Sequence, residues 1–146
     1  MEVKVYFDGS CDNNSKLKYM GIGVAVYLEG EYSEELSHSE MVGTNGTNNV
    51  AEYSAVKKAL EILQELNEKG KLTSAVVYGD SQLVINQLNS LWRVRQPHLK
   101  PYFKDCKLLL LQLDNVPIKL VWIPREGNKI ADKLSTKCVK NFISKF

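Results

Sequence analysis

The sequence predicts an α/β domain on a mixed five-stranded sheet: a three-stranded antiparallel meander plus two parallel strands, with helices on both faces. Three observations predict it. Residues 3–41 hold three β-rich runs and no sustained helical period. From residue 49 onward, helical and strand patterns alternate. The order that results, β-β-β-α-β-α-α-β-α, is a meander followed by βαβ units, whose strands join one sheet.

Val3–Phe7 alternates apolar with polar or amphipathic residues and is expected as the first strand, ended by Asp8-Gly9-Ser10. Cys11–Lys18 is expected as a polar loop. Gly21–Leu28 (GIGVAVYL) and the more polar Tyr32–Met41 flank the turn Glu29-Gly30-Glu31, which predicts a hairpin whose second strand lies near a sheet edge. Turn-rich Gly43–Asn49 leads into a helix from about Asn49 to Lys69, closed by Gly70. Val56, Ala59, Leu60 and Leu63 recur along it at helical spacing and predict its buried stripe.

Ala75–Tyr78 is a short apolar strand of the kind expected where a sheet is covered on both faces. Gly79-Asp80-Ser81 turns it into a helix reaching about Leu91. Pro97 and Pro101 mark a break, and a further helix covers Tyr102–Leu113. Ile118–Ile123 is the fifth strand, residues 124–127 a loop. A last helix runs from Asn128 towards Phe146 with the stripe Ala131, Leu134, Cys138 and Phe142. No repeat or low-complexity tract interrupts the chain.

At 146 residues the chain fits one domain, residues 1–146, large enough for a core without staples. Hydrophobic residues at 44% and charged residues at 25% exclude a disordered, fibrous or membrane-spanning class. With neither a signal-peptide stretch nor an apolar run of bilayer length, the protein is expected in the cytoplasm, with no membrane partner. Three cysteines (Cys11, Cys106 and Cys138), odd in number and without a CxxC pair, argue against a disulfide framework or a zinc site. A net charge of +2 is too small to imply a nucleic-acid partner by itself.

Four acids carry the chemistry. Asp8 follows the first strand, where a turn would also explain it. Glu52 lies one helical turn before Val56, on the apolar face of its helix, where a partner for the helix dipole has no need to be. Asp80 ends the central strand; either it or Ser81 can cap the next helix. Asp132 sits in the first turn of the last helix, where a dipole role again suffices. Taken singly, each has a plain explanation. Together, two aspartates at the ends of neighbouring strands and two first-turn acids on helices packed against the same sheet converge on one edge, where α/β sheets bind ligands. Carboxylates so crowded repel unless a cation neutralises them. An oxygen-only set selects a hard ion, Mg²⁺ or Mn²⁺.

Five segments then carry a family resemblance: Phe7-Asp-Gly-Ser10, the Gly21-Ile-Gly23 strand, Thr47-Asn-Asn-Val-Ala-Glu52, Gly79-Asp-Ser-Gln82 and Asn128-Lys-Ile-Ala-Asp132. In this order, along nearly the whole chain, the sequence resembles the type 1 ribonuclease H family. The resemblance implies the ribonuclease H-like fold and an endonuclease that cuts the RNA strand of RNA–DNA hybrids, leaving 5′-phosphate and 3′-hydroxyl ends. It also implies two Mg²⁺ ions, with Mn²⁺ as a substitute, held by Asp8, Glu52, Asp80 and Asp132, Asp8 bridging both. Asn14, Asn48 and Asn49 match residues that face the RNA strand's 2′-hydroxyls, to which amides both donate and accept. Thr47 and Asn86 match phosphate contacts. No obligate protein partner is implied, and a monomer is expected. Two other readings, a non-catalytic nucleic-acid-binding module and a DNA-directed nuclease of the superfamily, are disfavoured by the complete acid set and by Thr47-Asn48-Asn49.

The chain departs from the family pattern twice. The loop before Asp132, Ile123-Pro-Arg-Glu-Gly-Asn128, lacks the histidine many members carry, leaving Arg125 or Glu126 as substitutes. His38 and His98 are expected on the surface. The basic protrusion of some members is reduced to Trp92-Arg-Val-Arg95, where Trp92 either stacks on the DNA strand beside Arg93 and Arg95 or packs inward as an anchor.

Overall fold

The computed structural model describes all 146 residues. The strands are β1 (Glu2–Cys11), β2 (Met20–Leu28), β3 (Glu31–Gly43), β4 (Ser74–Gly79) and β5 (Ile118–Trp122). The helices are α1 (Asn48–Glu68), α2 (Gln82–Leu88), α3 (Lys100–Gln112) and α4 (Lys129–Ile143), with 3₁₀ turns at Pro97–Leu99 and Arg125–Gly127. The sheet order is β3-β2-β1-β4-β5, antiparallel across the first three strands and parallel across β1, β4 and β5. The expected mixed sheet is therefore present, with β3 on an edge. No helix is long and apolar enough to cross a membrane.

The two faces are covered unequally. Odd-numbered Val3, Val5 and Phe7 of β1 and even-numbered Ile22, Val24 and Val26 of β2 point to one side and pack beneath α1. Val56, Ala59, Leu60 and Leu63, the stripe predicted from periodicity, are fully buried there. Helix α3 packs mainly on α1, where Lys57 pairs with Asp105 at 3.2 Å. On the other face lies α4 alone. A Cβ at Gly21 or Gly23 would overlap the α4 main chain at Ser135 or Ala131, so these glycines set how closely the helix approaches. Ser10 and Ser39 fasten it further, donating their hydroxyls to the carbonyls of Ser135 (2.9 Å) and Leu134 (2.5 Å).

The remainder of that face is left to tyrosines. Tyr6 stacks on Tyr78 with ring centres 4.7 Å apart, and Tyr27 meets Tyr6 and Tyr32 edge-on. This explains one departure from expectation. In β4, Ala75, Val77 and Gly79 are buried but Val76 and Tyr78 only half so, because α4 does not reach them.

Other departures have local causes. β1 does not stop at Asp8: its parallel pairing with β4 ends at Phe7–Gly79, while antiparallel pairing with β2 continues to Cys11–Met20. Helix α2 ends at Leu88 rather than near Leu91, because Ser90 takes a left-handed φ of +62°. Pro101 sits in the first turn of α3, where its missing N–H costs nothing, so the helix starts earlier than predicted. The fully buried line of α4 is Ala131, Ser135 and Val139, with Leu134, Cys138 and Phe142 half-buried beside it. Small residues suit the close contact with Gly21 and Gly23. At α1 the expected stop holds, Gly70 taking φ +68°.

Candidate metal centre

The main chain brings the acids together from four elements. β1 and β4 run parallel and adjacent, so Asp8 and Asp80 follow the last paired residues, Phe7 and Gly79, at the same sheet edge. Ser81, not Asp80, caps α2 by accepting from the Val84 N–H, which leaves the Asp80 carboxylate free of that duty. Glu52 lies in the first part of α1 on its buried side, only 8% exposed, and accepts a hydrogen bond from the Gly9 amide. Asp132 comes from the first turn of α4. Carboxylate oxygens of Asp8, Glu52 and Asp80 lie within 4.8 Å of one another. Asp132 joins them in lining a cleft of about 470 Å³ whose walls include Asn48, Arg125 and Thr136.

Burial and mutual repulsion act in the same direction on these acids. Desolvation is the larger cause that lifts the Asp8 carboxyl to about 7, with the charges of Asp80 and Asp132 adding to it. Glu52 is raised well above its ordinary range, first by burial and then by Asp8. Acids held in this state at neutral pH are poised to take a cation. The donor set is oxygen-rich and without histidine, which suits a hard divalent ion.

Packing around the acids uses residues that the sequence reading left without a role. Asn128, 1% exposed, donates its side-chain amide to the Phe7 carbonyl at 2.9 Å, tying the start of α4 to the strand just before Asp8. The Asp132 N–H in turn bonds to the Asn128 carbonyl at 3.0 Å. The Ser135 hydroxyl bonds to the Asp132 carbonyl at 2.8 Å and lies 3.4 Å from an Asp8 oxygen. Trp122 donates its indole N–H to the Asp80 carbonyl at 3.2 Å. An asparagine four positions before Asp132, and a serine one turn after Ala131, were the only signals available.

The predicted substrate residues scatter more widely. Asn48 lines the cleft; Asn49, next to it in the first turn of α1, does not. Thr47 is the N-cap of α1, its hydroxyl accepting from the Val50 N–H at 3.2 Å. Asn14 lies outside the cleft in an exposed turn, its amide bonded to the Asp12 carboxylate at 3.0 Å. Asn86 faces the loop after α2, whose Leu91 and Trp92 amides bond to its carbonyl. Trp92 is half-exposed rather than a buried anchor, and with Arg93, Phe103 and Lys104 it lines a broad shallow groove. Lys107 also lines it, but its ammonium is engaged by the Leu88 carbonyl and the Ser90 hydroxyl, at 2.7 and 2.9 Å. His98 is exposed and His38 pairs with Glu40, both away from the cleft. Of the two substitutes for the absent loop histidine, Arg125 lines the acid cleft and Glu126 does not.

A family model described as reverse transcriptase-like matches residues 6–138. The chain belongs to this ribonuclease H-like family. Among its relatives is YpeP of Bacillus subtilis, described as uncharacterized, 32% identical over 141 residues that cover 96% of this chain and 60% of YpeP. Another is ribonuclease HI of Halobacterium salinarum, 30% identical over 137 residues, 94% of this chain and 64% of that protein. The chain thus spans less than two thirds of the length of either. The crystal structure of LC11-RNase H1 in complex with an RNA/DNA hybrid superposes with a TM-score of 0.82 at 31% identity, over 97% of this chain and 99% of that one. The ribonuclease H-like fold therefore extends over nearly all of the present chain.

Proposed function

We propose that this domain is an endonuclease that hydrolyses the RNA strand of RNA–DNA hybrids, leaving 5′-phosphate and 3′-hydroxyl ends. One observation carries the reading: the carboxylates of Asp8 and Asp80, at the ends of adjacent parallel strands, and of Glu52 from α1 lie within 4.8 Å of one another, with Asp132 on the cleft they share. Membership of the ribonuclease H-like family, and the hybrid seen with LC11-RNase H1, support the choice of substrate.

Asp8, Glu52, Asp80 and Asp132 would hold the metal, two Mg²⁺ ions with Mn²⁺ as a substitute. When bound, such ions supply an activated water and stabilise the leaving 3′-oxygen. The chain's own residues do the rest. Asn128 and Ser135 hold β1 and the α4 start in register, so that Asp8 and Asp132 present their oxygens together. Asn48 on the cleft wall and Asn49, the next residue of α1, meet the 2′-hydroxyls of the RNA strand, with Asn14, Thr47 and Asn86 contacting the duplex further out. Arg125 brings the one positive side chain on the cleft wall, placed to steady a phosphate or the departing product. The Trp92–Arg95 loop takes the DNA strand. We infer that residues 1–146 form one catalytic domain, acting as a monomer in the cytoplasm; the three unbridged cysteines support the compartment alone.

The test is cleavage of a labelled hybrid beside single-stranded RNA, double-stranded RNA and double-stranded DNA, each with Mg²⁺, Mn²⁺ or EDTA. Hybrid-selective, EDTA-sensitive cleavage is expected. Binding without cleavage would make the domain a non-catalytic module; cleavage of DNA alone would make it a DNA-directed nuclease.

A further inference from the structure

Burying a primary amide is costly unless both its ends are paired. Gln87, near the end of α2, is 1% exposed and pairs both. Its oxygen accepts from the hydroxyl of fully buried Tyr53, and its nitrogen donates to the Arg93 carbonyl at 3.4 Å. Tyr53 is the neighbour of Glu52 on α1; Arg93 belongs to the loop that presents Trp92 and Arg95. One buried polar chain therefore runs from the helix that carries Glu52 to the Trp92–Arg95 loop. The rest of that loop is tied equally firmly. The Leu91 and Trp92 amides bond to the Asn86 carbonyl at 2.9 and 3.1 Å, and Lys107 from α3 holds Leu88 and Ser90. Yet its outer side chains, Leu91 and Trp92 among them, stay exposed. A loop held this firmly at its base, with its apolar and cationic groups turned outward, is shaped to meet something at a fixed position.

We propose that Tyr53 and Gln87 form a strut that fixes the distance between the carboxylate cleft and the Trp92–Arg95 loop, and that this distance selects the duplex by its groove geometry. The inference rests on the hybrid reading above. A duplex is stiff, and the separation of its strands across a groove follows from its helical form. With one strand fixed at the cleft, the other meets the loop only if that separation matches. Tyr53 and Gln87 are positioning residues in this scheme: they touch no substrate.

The test uses Tyr53→Phe, Gln87→Met and the double variant. Each single change leaves a buried polar group without its partner and lowers Tm; the double change makes both positions apolar at similar volume and recovers most of the loss. The strut predicts that the recovered double variant still shows KM for hybrid raised by about fivefold, the scale of one lost hydrogen bond, with kcat within about twofold. Discrimination between hybrid and double-stranded RNA narrows by a similar factor, while the Mg²⁺ concentration for half-maximal rate stays put. Return of KM and selectivity to wild type along with Tm would reduce the pair to a packing element and overturn the proposal. Should the wild-type protein cut no hybrid, the functional reading fails separately, and the strut is judged on geometry. With 5-fluorotryptophan incorporated, a shifted Trp92 resonance beside an unchanged Trp122 supports it, and an unchanged Trp92 resonance sinks it.

Discussion

The Gly9 amide donates a hydrogen bond to the Glu52 carboxylate, joining the strand that carries Asp8 to the helix packed over it. A side chain at Gly9 would run into the main chain of Ala51 and Glu52, so the absence of a Cβ is what lets α1 approach this closely. The acid pair thus owes its spacing to a backbone contact, and only its charge to the carboxylates.

Asp8→Asn and Asp80→Asn therefore preserve the fold and remove the chemistry. Hybrid cleavage with Mg²⁺ is expected to fall well beyond the roughly 10- to 100-fold loss typical of removing an outer-shell partner. Near-normal activity in either variant would refute the metal assignment. In EDTA at pH 8, Asp8→Asn should also raise Tm, by relieving repulsion at the Asp80 and Asp132 side of the cluster.

Stability without metal should fall as pH rises. Asp8 has a folded-state pKa of about 7 against an ordinary 3.8, so between these values the folded protein binds more protons than the unfolded chain. Glu52 is displaced in the same direction. The contribution is complete below about pH 4 and is lost as pH passes through 7. For Asp8 alone its ceiling is about 4 kcal/mol, reduced by coupling to Glu52. Urea melts in EDTA at pH 5.5 and 8.0 read it directly: equal stability at the two values refutes the shift, and Asp8→Asn should flatten the difference.

The helical stripe of α1, the edge position of β3 and the convergence of the acids were legible because each rests on local pattern plus the rule that parallel strand ends form sites. The length of β1 was not. Asp8-Gly9-Ser10 looks like a turn, and only pairing with distant Met20–Gly23 keeps it extended. The small-residue line of α4 stayed hidden for a related reason. Ser135 counts as polar in any periodicity, and its burial depends on Gly21 and Gly23 of another element. Thr47 illustrates a third case, since the signal that suggests a substrate contact is also that of a helix cap, and its hydroxyl caps α1.

Asn48→Ala with Asn49→Ala should weaken hybrid cleavage at subsaturating substrate by tenfold or more, on the order of two lost hydrogen bonds. Metal affinity, measured calorimetrically, should hardly change, since on the proposed reading these amides meet RNA and not the ion. Unaltered cleavage would remove both asparagines from the substrate surface.

Arg93→Ala with Arg95→Ala should lower hybrid affinity and flatten its salt dependence, leaving the rate at saturation nearly unchanged. The slope of log affinity against log salt follows the number of phosphates neutralised, and a net charge of +2 predicts a shallow one from the start. Binding of the Asp8→Asn protein across a salt series tests this. A steep parental slope, or an unaffected double variant, would move the contact to Lys100 and Lys104, since Lys107 is already engaged.

Gly23→Ala should cost stability by about 1–3 kcal/mol or more, because the new methyl meets the main chain of α4 at Ala131 and Ser135. Its cleavage rate should fall with the displacement of Asp132. A chemical melt indistinguishable from wild type would show that α4 can withdraw freely.

The docking of α4 also has a consequence in time. Along the chain Asp8 lies on the first strand of the sheet, and Asp132 comes only after every strand. A nascent chain that has placed Asp8, Glu52 and Asp80 still lacks the helix that Gly21 and Gly23 wait to receive. Until that helix settles, the cluster is three-quarters built, and a chain ending before α4 carries three of the acids without the fourth. On the proposed reading, the docking of α4 is thereby also the step that completes the set of four acids.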